Sequence, residues 1–166
     1  MIELGHGTHV GLRRTRNEDT YHADASLGLF LVADGMGGHQ HGEVASALVR
    51  DAMVELVGSG LGLIDAVNGA AERLLAHARP SFDMLPMGTT IAALQIGRGN
   101  DEVAWVGDIR IYLWPQTLSR FSHAQAHADA RESTGQGTVA SAACHLHRST
   151  LHTDSMAHVT HHSSYR

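Results

Sequence analysis

The sequence predicts an α+β domain in which a pair of helices packs on antiparallel sheet. Two observations predict this class: a short apolar run is followed by two amphipathic segments, and strand-like segments separated by turns come after them. Helices bury their apolar stripe against a sheet or another helix, and consecutive strands joined by short turns pair antiparallel. With 166 residues, the chain is long enough for one domain with a substantial core.

The first half of this domain contains one predicted strand and two predicted helices. Residues 27–33 form a short apolar run typical of a buried strand. Over residues 42–57 the apolar side chains recur at helical spacing, and a second helix is predicted over residues 63–78, ending before Pro80. The apolar positions of the first helix lie on two adjacent lines: Val44, Leu48, Ala52 and Leu56, and Ala45, Val49, Met53 and Val57.

The second half is predicted to consist of strands. The β-rich segments are residues 89–96, 102–106 and 109–114. The sequence Gly-Arg-Gly-Asn-Asp, residues 97–101, separates the first two segments and predicts a hairpin between them.

Composition and charge exclude several classes of function. The formal net charge is -5 and the 12 basic residues are all arginines, without a basic stripe that follows a phosphate backbone, so we expect no nucleic-acid partner. No apolar run is long enough to cross a bilayer, and the chain does not begin with a signal-like segment, so we expect no membrane association. The single cysteine, Cys144, fits a reducing compartment. These features predict a soluble, cytoplasmic protein.

The glycine turn after the first strand is a candidate metal site. Residues 31–39 read Leu-Val-Ala-Asp-Gly-Met-Gly-Gly-His. An aspartate at the end of a buried strand is held rigidly, and neighbouring glycines allow a backbone carbonyl to approach the same ligand. Asp34 with the Gly35 carbonyl would form an oxygen-only site suited to Mg²⁺ or Mn²⁺. The alternative interpretation is an ordinary strand-to-helix turn.

A charged segment near the start of the chain is a second candidate. Residues 11–19 contain three arginines followed by the adjacent carboxylates of Glu18 and Asp19. Adjacent carboxylates gain from sharing a cation, and guanidinium groups bind phosphate oxygens in bidentate geometry. The alternative interpretation is a solvated charged loop.

Two further motifs are weak when each is taken alone. Residues 87–90 read Met-Gly-Thr-Thr, which is typical of a turn followed by residues of high β-propensity. Gly107 and Asp108 separate two apolar strands and indicate a turn in which the aspartate is available to a ligand.

The order of the four motifs resembles that of the PPM, or PP2C-type, metal-dependent protein phosphatases in their bacterial form. Arg-x-x-x-Glu-Asp, Val-Ala-Asp-Gly-Met-Gly-Gly-His, Gly-Thr-Thr and Val-Gly-Asp-x-Arg-x-Tyr follow one another within about residues 5–121. The resemblance implies an α-β-β-α sandwich of two antiparallel sheets flanked by helix pairs. It also implies a centre of two or more Mg²⁺ or Mn²⁺ ions at one end of the sandwich.

The resemblance assigns expected roles to six residues. Arg14 matches the phosphate-binding arginine, Glu18 matches the acidic residue that serves the second metal, and Asp19 matches its supporting neighbour. Asp34 matches the aspartate that bridges the two metals, and Gly35 matches the residue whose carbonyl joins the second metal.

The sixth residue, Asp108, matches the aspartate associated with a third, more weakly held metal. Family members usually carry a small polar residue where this chain has Ile109. A branched apolar side chain there would either crowd the turn or face the core.

The implied reaction is the hydrolysis of phosphoserine and phosphothreonine in proteins by a metal-activated water, with Arg14 and Asp34 as the central residues. The implied partners are a phosphorylated protein substrate and a cognate serine/threonine kinase. The alternative is a catalytically impaired pseudophosphatase that binds a phosphoprotein without turnover.

The sequence changes in character after Phe121. Residues 122–166 consist largely of His, Ala, Ser and Thr without strand or helix periodicity, and such a segment cannot bury enough apolar surface to offset its ordering entropy. We therefore expect a partial phosphatase domain over residues 1–121 and a low-complexity, disordered tail over residues 122–166.

The metal centre implied by the resemblance is also incomplete. In the family, two further aspartates from the C-terminal half, in Asp-Gly and Gly-x-x-Asp-Asn contexts, hold the first metal, and neither motif follows Phe121. We hypothesise a sandwich that is incomplete at the C-terminus because of truncation or a frameshift near Ser122. The alternative is a genuine tail whose histidine pairs bind a metal: His145 and His147, or His161 and His162.

Overall fold

The computed structural model describes residues 3–37, 41–78, 87–97, 101–114, 119–120, 145–149 and 156–160. The elements in chain order are β1 (Asp19–Asp24), β2 (Leu29–Met36), α1 (His41–Gly58), α2 (Leu63–Ala78), β3 (Gly88–Thr89), β4 (Ile91–Ile96), β5 (Asp101–Val106), β6 (Arg110–Trp114), β7 (Ser119–Arg120), β8 (His145–Ser149) and β9 (Met156–Thr160). None of the described helices is long and apolar enough to span a bilayer.

The described strands form two antiparallel sheets. The larger sheet has the order β1-β2-β4-β5-β8, with β3 paired to the end of β2, and the smaller has the order β7-β6-β9. The predicted hairpin is confirmed because β4 and β5 pair with Ile96 opposite Asp101. Residues 98–100 of its turn lie outside the described residues.

One face of the larger sheet is covered by α1 and α2. Along β2 the residues alternate between buried and partly exposed, as a strand with different surroundings on its two faces requires. Leu29 and Leu31 pack with Met53 of α1 and with Leu63 and Val67 of α2. This apolar contact fixes the start of β2 against the second half of α1, and the predicted metal site lies at the other end of β2.

The other face of the larger sheet is covered by the segment that contains β6. Ile109 and Ile111 are buried with Leu94 and Trp105 in a second apolar cluster. Ile109 is 0% exposed, so it faces the core and does not crowd the turn. The described residues thus form three layers, helix pair, sheet and sheet, of the predicted four-layer sandwich.

The helices agree closely with their predicted bounds, and the burial shows which of the two apolar lines of α1 faces the core. The line that starts at Ala45 is buried and continues through Val49, Met53 and Val57, whereas Val44 is 39% exposed. The strand β1 was not predicted. Its sequence, Asp-Thr-Tyr-His-Ala-Asp, has no apolar alternation, and all six residues are only partly buried beside β2.

Two described strands lie within residues 122–166. β8 pairs with β5, and β9 pairs with β6. The other residues of this region lie outside the described residues, so the domain boundary at Phe121 and the disordered tail stay predictions.

Candidate active site

Two carboxylates face each other across the first pair of strands. Asp19 of β1 pairs directly with Asp34 of β2, and directly paired residues project from the same face of a sheet. Alternation along β2 places Asp34 on the face shared with Phe30 and Val32, which points toward the smaller sheet. Both aspartates therefore lie at one end of the space between the two sheets, as the resemblance implies.

Two more oxygen atoms meet beside this pair. A Cβ atom placed on Gly42 would lie 2.8 Å from both the Glu18 Oε1 atom and the Gly35 carbonyl oxygen. The two oxygens thus face the same point, which stays open because Gly42 has no side chain. We call the group formed by Glu18, Asp19, Asp34 and Gly35 the Asp34 corner.

The backbone of the Asp34 corner is bound from two sides. Gly35 N donates to the Glu18 carbonyl oxygen at 3.0 Å, and the buried Ser46 hydroxyl of α1 donates to the same oxygen at 2.7 Å. On the other side, Thr90 N donates to the Asp34 carbonyl oxygen at 2.9 Å. Because hydrogen bonds from β2, α1 and residue 90 converge here, the corner is preorganised before any ligand binds.

The Gly-Thr-Thr motif belongs to the site, although its sequence signal is weak. Besides the Thr90 contact, Thr89 Oγ1 donates to the Asp34 carbonyl oxygen at 2.9 Å. Gly107 has a φ of 96°, and a Cβ atom there would lie 2.7 Å from Thr90 Cγ2. The turn that carries Asp108 therefore packs on Thr90, which links it to Asp34. Asp108 itself is exposed in this turn.

The charged segment before β1 is more exposed than the Asp34 corner. Arg14 forms an ion pair with Glu18, and the side chains are 42% and 19% exposed, respectively. Asn17 connects this segment to β1, since its Oδ1 accepts a hydrogen bond from Asp19 N at 3.1 Å. The segment is therefore joined to β1 at Asn17, while its residues 11–16 are exposed.

The donor set suits a hard divalent cation in part. The Asp34 corner offers carboxylate and carbonyl oxygens, which are the ligands that Mg²⁺ and Mn²⁺ prefer. Among the described residues, no three His, Cys, Asp or Glu side chains are grouped as metal ligands. A cation at this corner would therefore keep several waters, as Mg²⁺ commonly does when one or two carboxylates bind it.

The carboxylate at the far end of β1 has a local structural role. The Ser26 hydroxyl and then the backbone N–H groups of Leu27 and Ser26 donate to Asp24, and these hydrogen bonds lower the pKa of its carboxyl group. Asp24 therefore caps the turn between β1 and β2, at the opposite end of β1 from Asp19.

Several known phosphatases are similar to this chain in sequence and in fold. The chain is 38% identical over 109 residues to the serine/threonine protein phosphatase PstP of Mycobacterium tuberculosis, a match that covers 62% of this chain and 21% of PstP. It is 32% identical over 123 residues to the protein phosphatase PhpP of Streptococcus pneumoniae, covering 68% of this chain and 50% of PhpP. In sequence and in fold, the chain is similar to PPM, or PP2C-type, protein phosphatases.

Solved structures agree with this similarity. The chain superposes on the M. tuberculosis phosphatase PstP/Ppp with a TM-score of 0.73 at 26% identity, covering 90% of this chain and 73% of that structure. The curated relatives are longer, and the first two matches cover only 21% of their length. No family model matches the chain.

Proposed function

We propose that this chain hydrolyses phosphoserine and phosphothreonine in proteins, using divalent cations bound at the Asp34 corner. The observation that carries the proposal is the pairing of Asp19 with Asp34, next in the chain to the Glu18 and Gly35 oxygens that converge at Gly42, beside an exposed arginine. Anion-binding and cation-binding groups placed side by side are what phosphoryl transfer requires. Of the relatives named above, PstP is a serine/threonine protein phosphatase and PhpP is a protein phosphatase, which supports the same reaction.

The proposed cofactors are two or more Mg²⁺ or Mn²⁺ ions. A similar solved structure, at 34% identity and a TM-score of 0.63, is a PstP catalytic domain in complex with two manganese ions. In this chain Glu18, Asp19, Asp34 and the Gly35 carbonyl would hold the ions, and Asp108 would serve a more weakly bound one. Bound cations would supply an activated water at neutral pH and offset phosphoryl charge.

Arg14 binds the phosphoryl oxygens in this proposal. Its guanidinium group already lies against Glu18, next to the cation-binding oxygens. A cation on the Glu18 carboxylate would weaken this ion pair, and the partly exposed Arg14 side chain could then turn toward a phosphate. Two parallel N–H donors suit this role because they bind two phosphoryl oxygens at once.

The bond that breaks joins phosphorus to the serine or threonine oxygen, and the bond that forms joins phosphorus to the oxygen of water. The leaving oxygen gains a proton. Met36, which follows the Asp34 corner and is 59% exposed, has no proton to donate, so we propose that solvent supplies it.

A phosphorylated protein is the proposed partner, with a cognate serine/threonine kinase as its source. The binding-only alternative gains no support from the relatives reported above, because they are named as phosphatases.

Phosphate release from a phosphothreonine peptide in Mn²⁺ tests the proposed activity. We expect release by the wild type, a loss of about 100-fold or more in Asp34→Asn because a metal ligand is weakened, and no loss in the exposed control Asp65→Asn of α2. A chelator should abolish release in every case.

Two results would contradict the proposal in different ways. A wild type that binds Mn²⁺ and phosphopeptide but releases no phosphate would refute hydrolysis. An Asp34→Asn variant as active as the wild type would refute the role of the corner.

A further inference from the structure

The residue that faces Asp34 on the neighbouring segment is Thr90. β2 keeps one register with both β3 and β4, since Gly35 pairs with Thr89 and Val32 pairs with Ala92. Asp34 therefore stands opposite Thr90, in the short gap between β3 and β4. Thr90 is 6% exposed and is one of two buried polar residues among the described residues whose side chains are characterised.

The contacts between these two residues depart from a regular ladder. In an antiparallel pair that exchanges two backbone hydrogen bonds, each N–H donates to the carbonyl oxygen of the facing residue. Thr90 N follows this pattern and donates to the Asp34 carbonyl oxygen at 2.9 Å, but Asp34 N donates to the Thr90 side-chain oxygen, Oγ1, at 3.3 Å. The Thr90 carbonyl oxygen lies 2.9 Å from Thr89 Oγ1, whose single hydroxyl proton it shares with the Asp34 carbonyl oxygen.

This arrangement makes the orientation of the Asp34 peptide depend on a side chain. The peptide nitrogen of Asp34 is bonded directly to the Cα atom that carries its carboxylate. A rotation of that peptide would therefore move the carboxylate oxygens. Among Thr, Ser, Val and Ala at this position, only Thr and Ser have a side-chain oxygen that can accept this hydrogen bond.

The other end of the Thr90 side chain has a separate contact. Its Cγ2 methyl group packs against Gly107, which leaves room for it because glycine has no Cβ atom. Hydroxyl and methyl thus face different neighbours, and substitutions can remove them one at a time.

We propose that Thr90 is a positioning residue for the Asp34 carboxylate, acting through its hydroxyl group. This inference rests on the proposed function, because it concerns a carboxylate that holds a cation. Residues that orient metal ligands typically contribute about 10- to 100-fold to metal affinity or activity, which sets the expected size of the effect.

Two pairs of proteins isolate the hydroxyl. The wild type and Thr90→Val differ by a hydroxyl replaced with a methyl of similar size, and Thr90→Ser and Thr90→Ala differ by the presence of a hydroxyl. Mn²⁺ affinity is measured by the loss of the electron paramagnetic resonance signal of free Mn²⁺. Phosphate release gives kcat and KM, and urea unfolding without metal gives stability.

We expect the two proteins with a hydroxyl, wild type and Thr90→Ser, to bind Mn²⁺ within about 2-fold of each other. Thr90→Val and Thr90→Ala should bind it about 10- to 100-fold more weakly, with a fall in kcat rather than a rise in KM. If Thr90 acted only through packing, Thr90→Val would bind Mn²⁺ more tightly than Thr90→Ser, because Thr90→Val keeps the methyl group that Thr90→Ser loses. If Thr90→Val does not fold, the Ser and Ala variants still measure the hydroxyl.

The outcomes separate this inference from the function on which it rests. A wild type that takes up no Mn²⁺ overturns the proposed function and this inference with it. A wild type that takes up Mn²⁺ overturns this inference alone if Thr90→Val matches it, or if Thr90→Ser binds as weakly as Thr90→Ala.

Discussion

The Asp34 corner and the arginine segment before it, residues 11–17, are adjacent in space but are held in different ways. The carbonyl oxygens of Glu18 and Asp34 each accept two hydrogen bonds, and backbone contacts leave no room for a side chain at Gly35. Arg14 is partly exposed and forms a side-chain ion pair with Glu18. Under the proposed function, the residues that hold the cations would be preorganised, whereas the arginine that binds phosphate would be free to adjust its position.

Gly35→Ala should produce the largest loss of stability, because it adds a side chain where the backbone of the Asp34 corner leaves no room. Its Cβ atom would lie 1.8 Å from the Gly42 carbonyl oxygen, and a backbone atom cannot move aside without displacing α1. We expect a loss of about 3 kcal/mol or more in the free energy of unfolding, measured by urea denaturation.

Gly58→Ala is the matched control for this substitution. Nothing lies within 4 Å of a Cβ atom there, so we expect a neutral or slightly stabilising change. If Gly35→Ala is as stable as the wild type, the backbone of the Asp34 corner can adjust at little cost. The corner would then be no more rigid than the arginine segment.

Arg14→Ala should have the next largest effect, on activity rather than on stability. Removing a donor to phosphoryl oxygens typically lowers the rate about 100-fold, or about 2.7 kcal/mol of transition-state stabilisation. Because the side chain is 42% exposed, we expect the free energy of unfolding to change by less than about 0.5 kcal/mol.

Phosphate release and urea unfolding of Arg14→Ala, beside the exposed neighbour Arg13→Ala, test this separation. Arg13→Ala should keep most of the activity. A stability loss in Arg14→Ala as large as its activity loss would show that the arginine segment is as structural as the Asp34 corner.

Ser46→Ala should have a smaller effect, confined to the rigid region. The variant removes one of the two donors to the Glu18 carbonyl oxygen at a site that is 1% exposed. Because Gly35 N still donates to this oxygen, we expect a loss of about 0.5–1.5 kcal/mol, the net contribution of a typical hydrogen bond, which urea unfolding can measure.

The control is Ser59→Ala, which removes an exposed hydroxyl that donates to the Leu56 carbonyl oxygen. Water replaces that donor, so we expect a change of less than about 0.5 kcal/mol. If both serine variants lose the same stability, the Glu18 carbonyl has no special dependence on α1.

Several parts of the fold follow from local sequence patterns. The helix α2 has its predicted bounds, and α1 extends one residue beyond the prediction at each end, because apolar spacing and glycine or proline boundaries act locally. The strand β1 could not be predicted in this way. Its polar residues adopt a strand because β2 offers a partner for their backbone, and backbone pairing leaves no signal in side-chain periodicity.

The residues of the candidate site also differ in whether the sequence indicates them. Asp34, Gly35 and Glu18 stand in motifs that indicate oxygen ligands from the sequence, whereas Thr90 and Ser46 carry little signal because serine and threonine serve many local roles. Their contacts reach across 56 and 28 residues of chain, respectively, and depend on strand register and helix packing.

The sequence by itself determined the resemblance to the PPM phosphatases, the helix pair, the later strands and the chemical type of the candidate ligands, because these depend on residue identity, order and short-range spacing. Only the tertiary structure decided which carboxylates face each other, which oxygens converge at Gly42, and which hydroxyls hold the corner in place. The physical reason is that hydrogen bonds and close backbone contacts act over about 3 Å in space, whatever the separation of the residues along the chain.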